Sequence, residues 1–275
     1  MTEDPAMRAR LLTFVIVGGG PTGVETAAEM NEFIHGIIDR YCNKENMCGH
    51  DEIKTVIIHS GSELMQQFHS SLRTVAENRL RSKGVELHLN STVVSVTAQG
   101  LVVKNGAPDA KDVETIPAST IIWAAGVKPV IPDFVNMQDS ISSQPAQIGG
   151  RLEINDFFQL VGHERVFALG DIAAPLPMLA QVAVGESKVV AENLLNAIQG
   201  KPLRKFAYNS KGSLVSIGQW SAVGEIFSHN YAGWLVWWLW RTTYLFKFAS
   251  WKKRIRIAFE WTMQIFYPRD ITKLT

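Results

Sequence analysis

An α/β fold built on a parallel sheet is predicted by three observations. Apolar runs alternate with helical periodicities over residues 12–89, a glycine turn joins the first run to the first helix, and a buried-strand pattern returns at 119–126. Together they describe a βαβαβ unit of the dinucleotide-binding, Rossmann-like kind.

The first run, Leu-Thr-Phe-Val-Ile-Val (12–17), is short and apolar throughout, as expected of a strand buried on both faces. The turn Gly18-x-Gly20-x-x-Gly23 follows it directly. In such a turn the first glycine permits a tight bend, the second admits a pyrophosphate to the backbone, and the third lets helix and strand pack closely. Pro21 and Thr22 complete it. Next, Val24, Ala27, Ala28, Phe33, Ile34, Ile37 and Ile38 recur at helical spacing. "KTVIIH" (54–59) predicts a second buried strand, 66–83 a second helix and "VELHL" (85–89) a third strand.

From 91 to 118, "TVVSVTA", "GLVVKN" and "VETIPA" are short runs divided by turn residues, which predicts an antiparallel meander. "STIIWAAG" (119–126) predicts another buried strand ending in Ala125 and Gly126. "GVKPVIPDF" carries two prolines and predicts a crossover out of that domain. "RVFALGD" (165–171) predicts a strand running into Gly170-Asp171, and Met178–Ile198 a helix.

At the end of the second strand, an acidic side chain would bond an adenosine 2′-hydroxyl. That place reads Ile58-His59-Ser60-Gly61-Ser62-Glu63, with no carboxylate at the strand end. His59 and Ser60 would tolerate a 2′-phosphate or donate to it, so NADH and NADPH both remain open. Glu25 lies on the first turn after Gly23, where a carboxylate also suits the helix dipole.

Apolar residues make up 46% of 275, which excludes a disordered chain. The formal charge of +1 points to no nucleic-acid partner. The charge is uneven, however: from His229 onward, eight Lys/Arg face two Asp/Glu. Six of the eight tryptophans lie in the tail that begins at Gly233. Gly233–Phe248 is shorter and more basic than the ~20 apolar residues of a membrane span. Trp and Tyr favour the headgroup zone, and Lys252, Lys253, Arg254 and Arg256 would meet anionic lipid. An amphipathic helical hairpin over 233–266, lying in the membrane surface, is the expectation; a buried core helix or a homodimer interface are the other uses of such a tail. Cys42 and Cys48, with five residues between them, lack the spacing of common zinc or redox pairs. No metal site is expected. The polar start "MTEDPAMRAR" has no secretion-signal form, which places the body on the cytoplasmic side.

"GGGPTGVE" (18–25), "IIWAAGVKP" (121–129), "VFALGDIA" (166–173) and "AQVAVGESKVVAENL" (180–194) together resemble the type II, non-proton-pumping NADH:quinone oxidoreductases. These are flavoproteins with two dinucleotide-binding domains, in the wider pyridine nucleotide-disulfide oxidoreductase-like superfamily. The resemblance implies that Gly18–Gly23 binds NAD(P)H, with Glu25 near the nicotinamide. It implies that Asp171 accepts hydrogen bonds from the ribityl chain of FAD, and that the helix starting at Ala180-Gln181-Val182 points its amides at the flavin ring.

Two departures stand out. The family's FAD turn should lie well over a hundred residues before this one, and twelve residues cannot encode a βαβ unit of ~30; the chain is expected to correspond to a C-terminal part without the N-terminal FAD-binding half. The family's Ala-Gln-x-x-x-Gln pattern near the quinone retains Gln181 here, but Gly185 and Glu186 follow. The organisation implied is an NAD(P)H-binding domain at 10–126, the returning half of an FAD domain at 127–218, and membrane-associating helices at 219–275. The activity implied is hydride transfer from NAD(P)H to FAD, then electrons to a membrane quinone. The competing class is a non-catalytic membrane-bound NAD(P)H-binding fragment. A disulfide reductase is disfavoured for want of a redox Cys pair, and a soluble ferredoxin-type reductase is disfavoured by the tail.

Overall fold

The structure, a computed structural model, describes residues 4–42, 49–106, 113–132, 146–210 and 212–267. Two compact units emerge: the described part of 1–126 with 211–275, and 127–210. The thiols of Cys42 and Cys48, and the far end of the proline-bearing crossover, lie outside the described residues.

The first unit opens with α1 (Pro5–Leu11), β1 (Thr13–Val17) and α2 (Pro21–Ile37). β2 (Lys54–Ile58), α3 (Ser70–Ser82) and β3 (Val85–His88) follow. The meander is β4 (Ser91–Thr97), β5 (Gly100–Asn105) and β6 (Val113–Pro117), and β7 (Thr120–Trp123) closes the sequence. A four-stranded sheet runs β3-β2-β1-β7. All its pairs are parallel, with Val15 level with Val56 and Ile121.

The uniformly apolar first run is explained by alternation. Ile16 and Ile57 face α2 and α3, where they meet Val24, Ala27, Leu72, Ala76 and Leu80. Val15, Val17, Val56 and Ile58 face the other way, onto Leu101, Val103 and Ile116 of the meander. Both faces of the strands are thus covered, as a central parallel strand requires.

Three expectations are corrected. Among the described residues β7 is an edge strand, and Trp123 at its end is 60% exposed rather than buried. Phe33 shares the helical spacing of α2's apolar face but is exposed, while polar Asn31 is buried and donates to the Lys83 carbonyl at 2.9 Å. The second helix begins at Ser70 rather than 66, after Met65 takes a positive φ of 48°.

The second unit holds β8 (Gln147–Ile148), β9 (Arg151–Glu153), β10 (Gln159–Leu160), β11 (His163–Phe167), β12 (Ala173–Ala174) and α4 (Ala180–Ile198). β12 lies parallel to β9, β8 antiparallel to it, and β10 and β11 form a separate pair. Leu152, Ile154, Phe158, Leu160, Val189 and Val190 make its core. Asn193 of α4 is fully buried there. Its amide donates to the carbonyls of Phe157 and Arg204, and its oxygen accepts the Arg204 N–H at 2.7 Å. Both N–H donors and the oxygen of the side chain are thus bonded to backbone, which is how a buried amide is tolerated.

Past 211, β13 (Ser213–Ser216), β14 (Ala222–Ile226) and β15 (His229–Gly233) form an antiparallel sheet. Its Val215, Ile217 and Val223 join the α2–α3 side of the first unit's core. α5 (Trp234–Lys247) and α6 (Trp251–Phe266) then form a hairpin. Arg241 of α5 stacks between Trp237 at 4.4 Å and Trp261 of α6 at 4.2 Å. Such cation–π contacts gain strength where water is excluded. Arg254 donates to the carbonyls of Phe248 and Phe246, capping the end of α5. Among the described residues, no helix is long and apolar enough to cross a membrane.

Candidate nucleotide and flavin sites

A cavity of about 480 Å³ opens at the carboxyl ends of β1, β2 and β7. Strand order reverses between β1 and β7, the place where open parallel sheets bind ligands. The lining brings together Gly18, Gly20, Pro21, Thr22, His59, Ser60, Ala125 and Gly126, with Ser91 and Thr92 from β4.

The glycines differ in what they do. Gly18 has φ +117°, and a Cβ there would sit 2.4 Å from the Ala124 carbonyl oxygen. Gly23 lies beneath the turn, where a Cβ would sit 1.8 Å from the Gly18 carbonyl oxygen. A Cβ at Gly20 meets nothing within 4 Å, so at this position the backbone borders open cavity. Gly20 is also the N-cap of α2 and offers no side-chain cap. The first-turn N–H groups are therefore left for an anion, in the favourable field of the helix.

His59 is engaged inside the protein. Its Nδ1 accepts the Gly19 N–H at 3.2 Å, and its ring also bonds the Glu63 backbone. Burial pushes its pKa down, and the ring braces the glycine turn. His59 Nδ1 is thus spent on the glycine turn rather than on a ligand. Among the described residues, no Lys or Arg lines the cavity, and Glu63 is paired with Arg73 at 2.9 Å.

Glu25 does not line the cavity. Its Oε1 accepts the Ser216 N–H at 3.0 Å, and burial pushes its carboxyl pKa up, against the pull of Ser216 and Trp240. Seven residues on, Glu32 accepts the Gln219 N–H at 2.7 Å. Two turns of one helix face thus hold the edge of the β13–β14 sheet. Ser216 Oγ and Trp240 Nε1 are buried beside Glu25 without a bond of ordinary geometry. Tyr244, one turn beyond Trp240, has its phenol pKa raised by burial and then by the charge on Glu25.

In the second unit, Gly170 takes φ +76° and opens a single 3-10 turn, Gly170–Ile172. Asp171 is exposed. The turn abuts α4, with a Cβ at Gly170 falling 3.9 Å from Ala183 Cβ. The helix begins at Ala180 rather than Met178, and its N-cap, Leu179, makes no side-chain cap. Ala180 and Gln181 are exposed; Val182 is buried, and its N–H already bonds the Leu179 carbonyl at 2.9 Å. Gln181 donates to the Tyr208 hydroxyl at 2.8 Å. Gly185 has a steric reason to be small, since a Cβ would meet the Phe206 ring at 3.2 Å. Sequence spacing did not single out Arg151 or Ser216 beside these groups; each reaches its partner from a distant segment, and no local pattern marks it.

In the tail, Trp251, Ile255, Phe259 and Met263 form an exposed apolar row on α6. Of the four basic residues there, Arg254 is spent on the α5 cap and Arg256 pairs with Glu260 at 2.8 Å.

Residues 2–187 match the profile of the pyridine nucleotide-disulphide oxidoreductases, and residues 210–270 that of the NDH2 C-terminal domain. The internal alternative NAD(P)H-ubiquinone oxidoreductase A1 of Arabidopsis thaliana mitochondria is 30% identical, over 97% of this chain and 54% of that protein. The type II NADH:quinone oxidoreductase Ndh of Mycobacterium tuberculosis is 27% identical, over 98% and 57%. The chain therefore spans about half the length of these curated relatives. Its fold is that of NDH2 from Plasmodium falciparum solved with NADH, with a TM-score of 0.83 at 17% identity, covering 99% of this chain and 70% of that one.

Substituting the glycines separates fold from binding. Gly20→Ala should leave the urea midpoint unchanged, within about 0.5 kcal/mol, and weaken NADH binding about tenfold, or ~1.4 kcal/mol. Gly23→Ala should destabilise the fold by about 1–3 kcal/mol as well. Unaltered NADH titration by Gly20→Ala would overturn the assignment of the cavity.

Glu25 carries a pH signature. A carboxyl whose folded pKa is raised contributes stability that is present below its ordinary value and lost as pH rises through the folded one. Denaturant midpoints of the unaltered chain should therefore fall relative to Glu25→Gln as pH rises above about 4.5. Parallel curves would refute a partly buried, perturbed Glu25.

Proposed function

Because the chain belongs to the pyridine nucleotide-disulphide oxidoreductase family, we propose that it serves as an NAD(P)H dehydrogenase, using FAD and delivering electrons to a quinone at the membrane. The observation that carries this is the cavity gathering the glycine turn, His59–Ser60 and Ala125–Gly126 at three strand ends. In this reading, 10–126 holds NAD(P)H, 127–218 contributes the returning half of a flavin domain, and 219–275 associates with lipid.

The residues fit the two nucleotides unequally. For NAD(P)H, the open face at Gly20 and the uncapped α2 suit a pyrophosphate. The neutral lining suits a 2′-hydroxyl better than a 2′-phosphate, which carries charge that wants a cation. For FAD, the exposed Asp171 carboxylate suits ribityl hydroxyls, and the uncapped start of α4 at Ala180–Gln181 suits the polar edge of a flavin ring. When bound, FAD would supply the acceptor for a hydride and the donor of two electrons.

The chain's own residues bind, orient and exclude water. Glu25, held by Ser216 beside Trp240, is a carboxyl whose pKa burial pushes up, which favours its protonated form. Gln181, tied to Tyr208, is a polar group for a quinone carbonyl.

Membrane association rests on the α6 row of Trp251, Ile255, Phe259 and Met263, flanked by Lys252 and Lys253. A row of this kind buries in the headgroup boundary without spanning. We place the protein peripherally at the cytoplasmic face of the cell membrane; a homodimer through the same tail is the competing use of that surface.

The spectrum after incubation with FAD and desalting tests the catalytic reading. A retained flavin band that bleaches with NADH is expected. NADH binding without retained flavin would instead establish the non-catalytic nucleotide-binding module. For the tail, the double variant Ile255→Glu/Phe259→Glu should lower co-sedimentation with anionic phospholipid vesicles by about tenfold or more, each buried side chain being worth ~1.5–3 kcal/mol. Equal sedimentation of variant and unaltered chain would refute lipid contact through α6.

A further inference from the structure

The Gly170–Asp171 turn is held by two side chains that reach it from other elements of the second unit. Arg151, at the start of β9, donates from Nε to the Asp171 carbonyl at 2.8 Å. Its Nη2 donates to the Leu176 carbonyl at 2.7 Å and to the carbonyl of Ala173. From the opposite side, Glu186 of α4 accepts the Gly170 N–H at 2.5 Å. Glu186 is 1% exposed. A carboxylate taken so far from water is costly unless bonded, and here its bond goes to a single backbone amide, with the Arg151 charge in its field.

The amide entering Gly170 and the carbonyl leaving Asp171 are therefore both pinned. The Asp171 side chain, which holds neither, stays exposed. We propose that Glu186 and Arg151 are positioning residues: they fix the backbone of this turn so that the Asp171 carboxylate meets the polyol chain of a flavin nucleotide in one orientation. This rests on the flavin reading above. It assigns the acceptor oxygen, rather than the charge, as the feature that position 186 must supply.

The test compares Glu186→Gln, which keeps an acceptor, with Glu186→Met, which removes it while keeping the volume. In the full chain, the Gly170 amide proton is followed by NMR, and FAD affinity by flavin fluorescence at a temperature where each variant is folded. Glu186→Gln should move the Gly170 resonance upfield, since a charge-assisted bond becomes a neutral one, yet leave FAD affinity within about twofold. Glu186→Met should weaken FAD about tenfold or more. A purely structural role would lower the unfolding midpoint of Glu186→Met without changing the affinity of its folded fraction, so equal FAD affinity overturns the proposal and leaves the flavin reading standing. Should Glu186→Met fail to fold, Arg151→Lys replaces it: loss of the forked contact should weaken FAD in the same direction, and unchanged affinity overturns the proposal. If the unaltered chain binds no FAD, the flavin reading falls and this role falls with it.

Discussion

Between the Gly18 carbonyl and the first turn of α2 there is no room for a side chain: a Cβ at Gly23 would lie 1.8 Å from that oxygen. This close approach lets α2 start directly over β1 and aim its N-terminus across the strand ends. The cavity, the field of the uncapped amides, and the packing of Val24 and Ala27 on Ile16 all depend on it. A methyl group here would push helix and strand apart, and interiors packed to crystal density do not absorb such a displacement locally.

α2 also binds the C-terminal part of its unit. Its N-terminal end borders the cavity at the strand ends, while Glu25 and Glu32 hold the amides of Ser216 and Gln219. Buried or half-buried carboxylates are tolerated where they accept backbone N–H groups that would otherwise be left unpaired. The same logic governs the second unit, where Asn193, Arg151 and Glu186 bond backbone groups of irregular segments. In both units, polar side chains from regular elements fix the conformation of the loops that carry function.

The tail divides its charges by position. Arg241 and Arg254 tie α5 to α6, through two indole rings and two carbonyls respectively. Lys252 and Lys253 sit beside the exposed apolar row of α6. The cations of the basic tail are therefore not all surface charge; some of them hold the hairpin that presents the exposed apolar row.

Local periodicity and glycine spacing by themselves determined the parallel sheet, the glycine turn and the meander, because these patterns express contacts made within a few tens of residues. The candidate cofactor residues in the cavity were legible for the same reason: each stands at the end of a recognisable strand. The tertiary structure decided what periodicity does not encode. Trp123 is exposed because β7 lies at an edge, and strand order is a long-range property. Phe33 has the right spacing yet is exposed. His59, which by sequence was open to a phosphate, is committed to Gly19. Glu25 meets a partner 191 residues away, and Arg151 and Glu186 converge on one turn from separate elements. Such pairings arise when distant segments pack, and a side chain's own neighbourhood in the chain carries no trace of them.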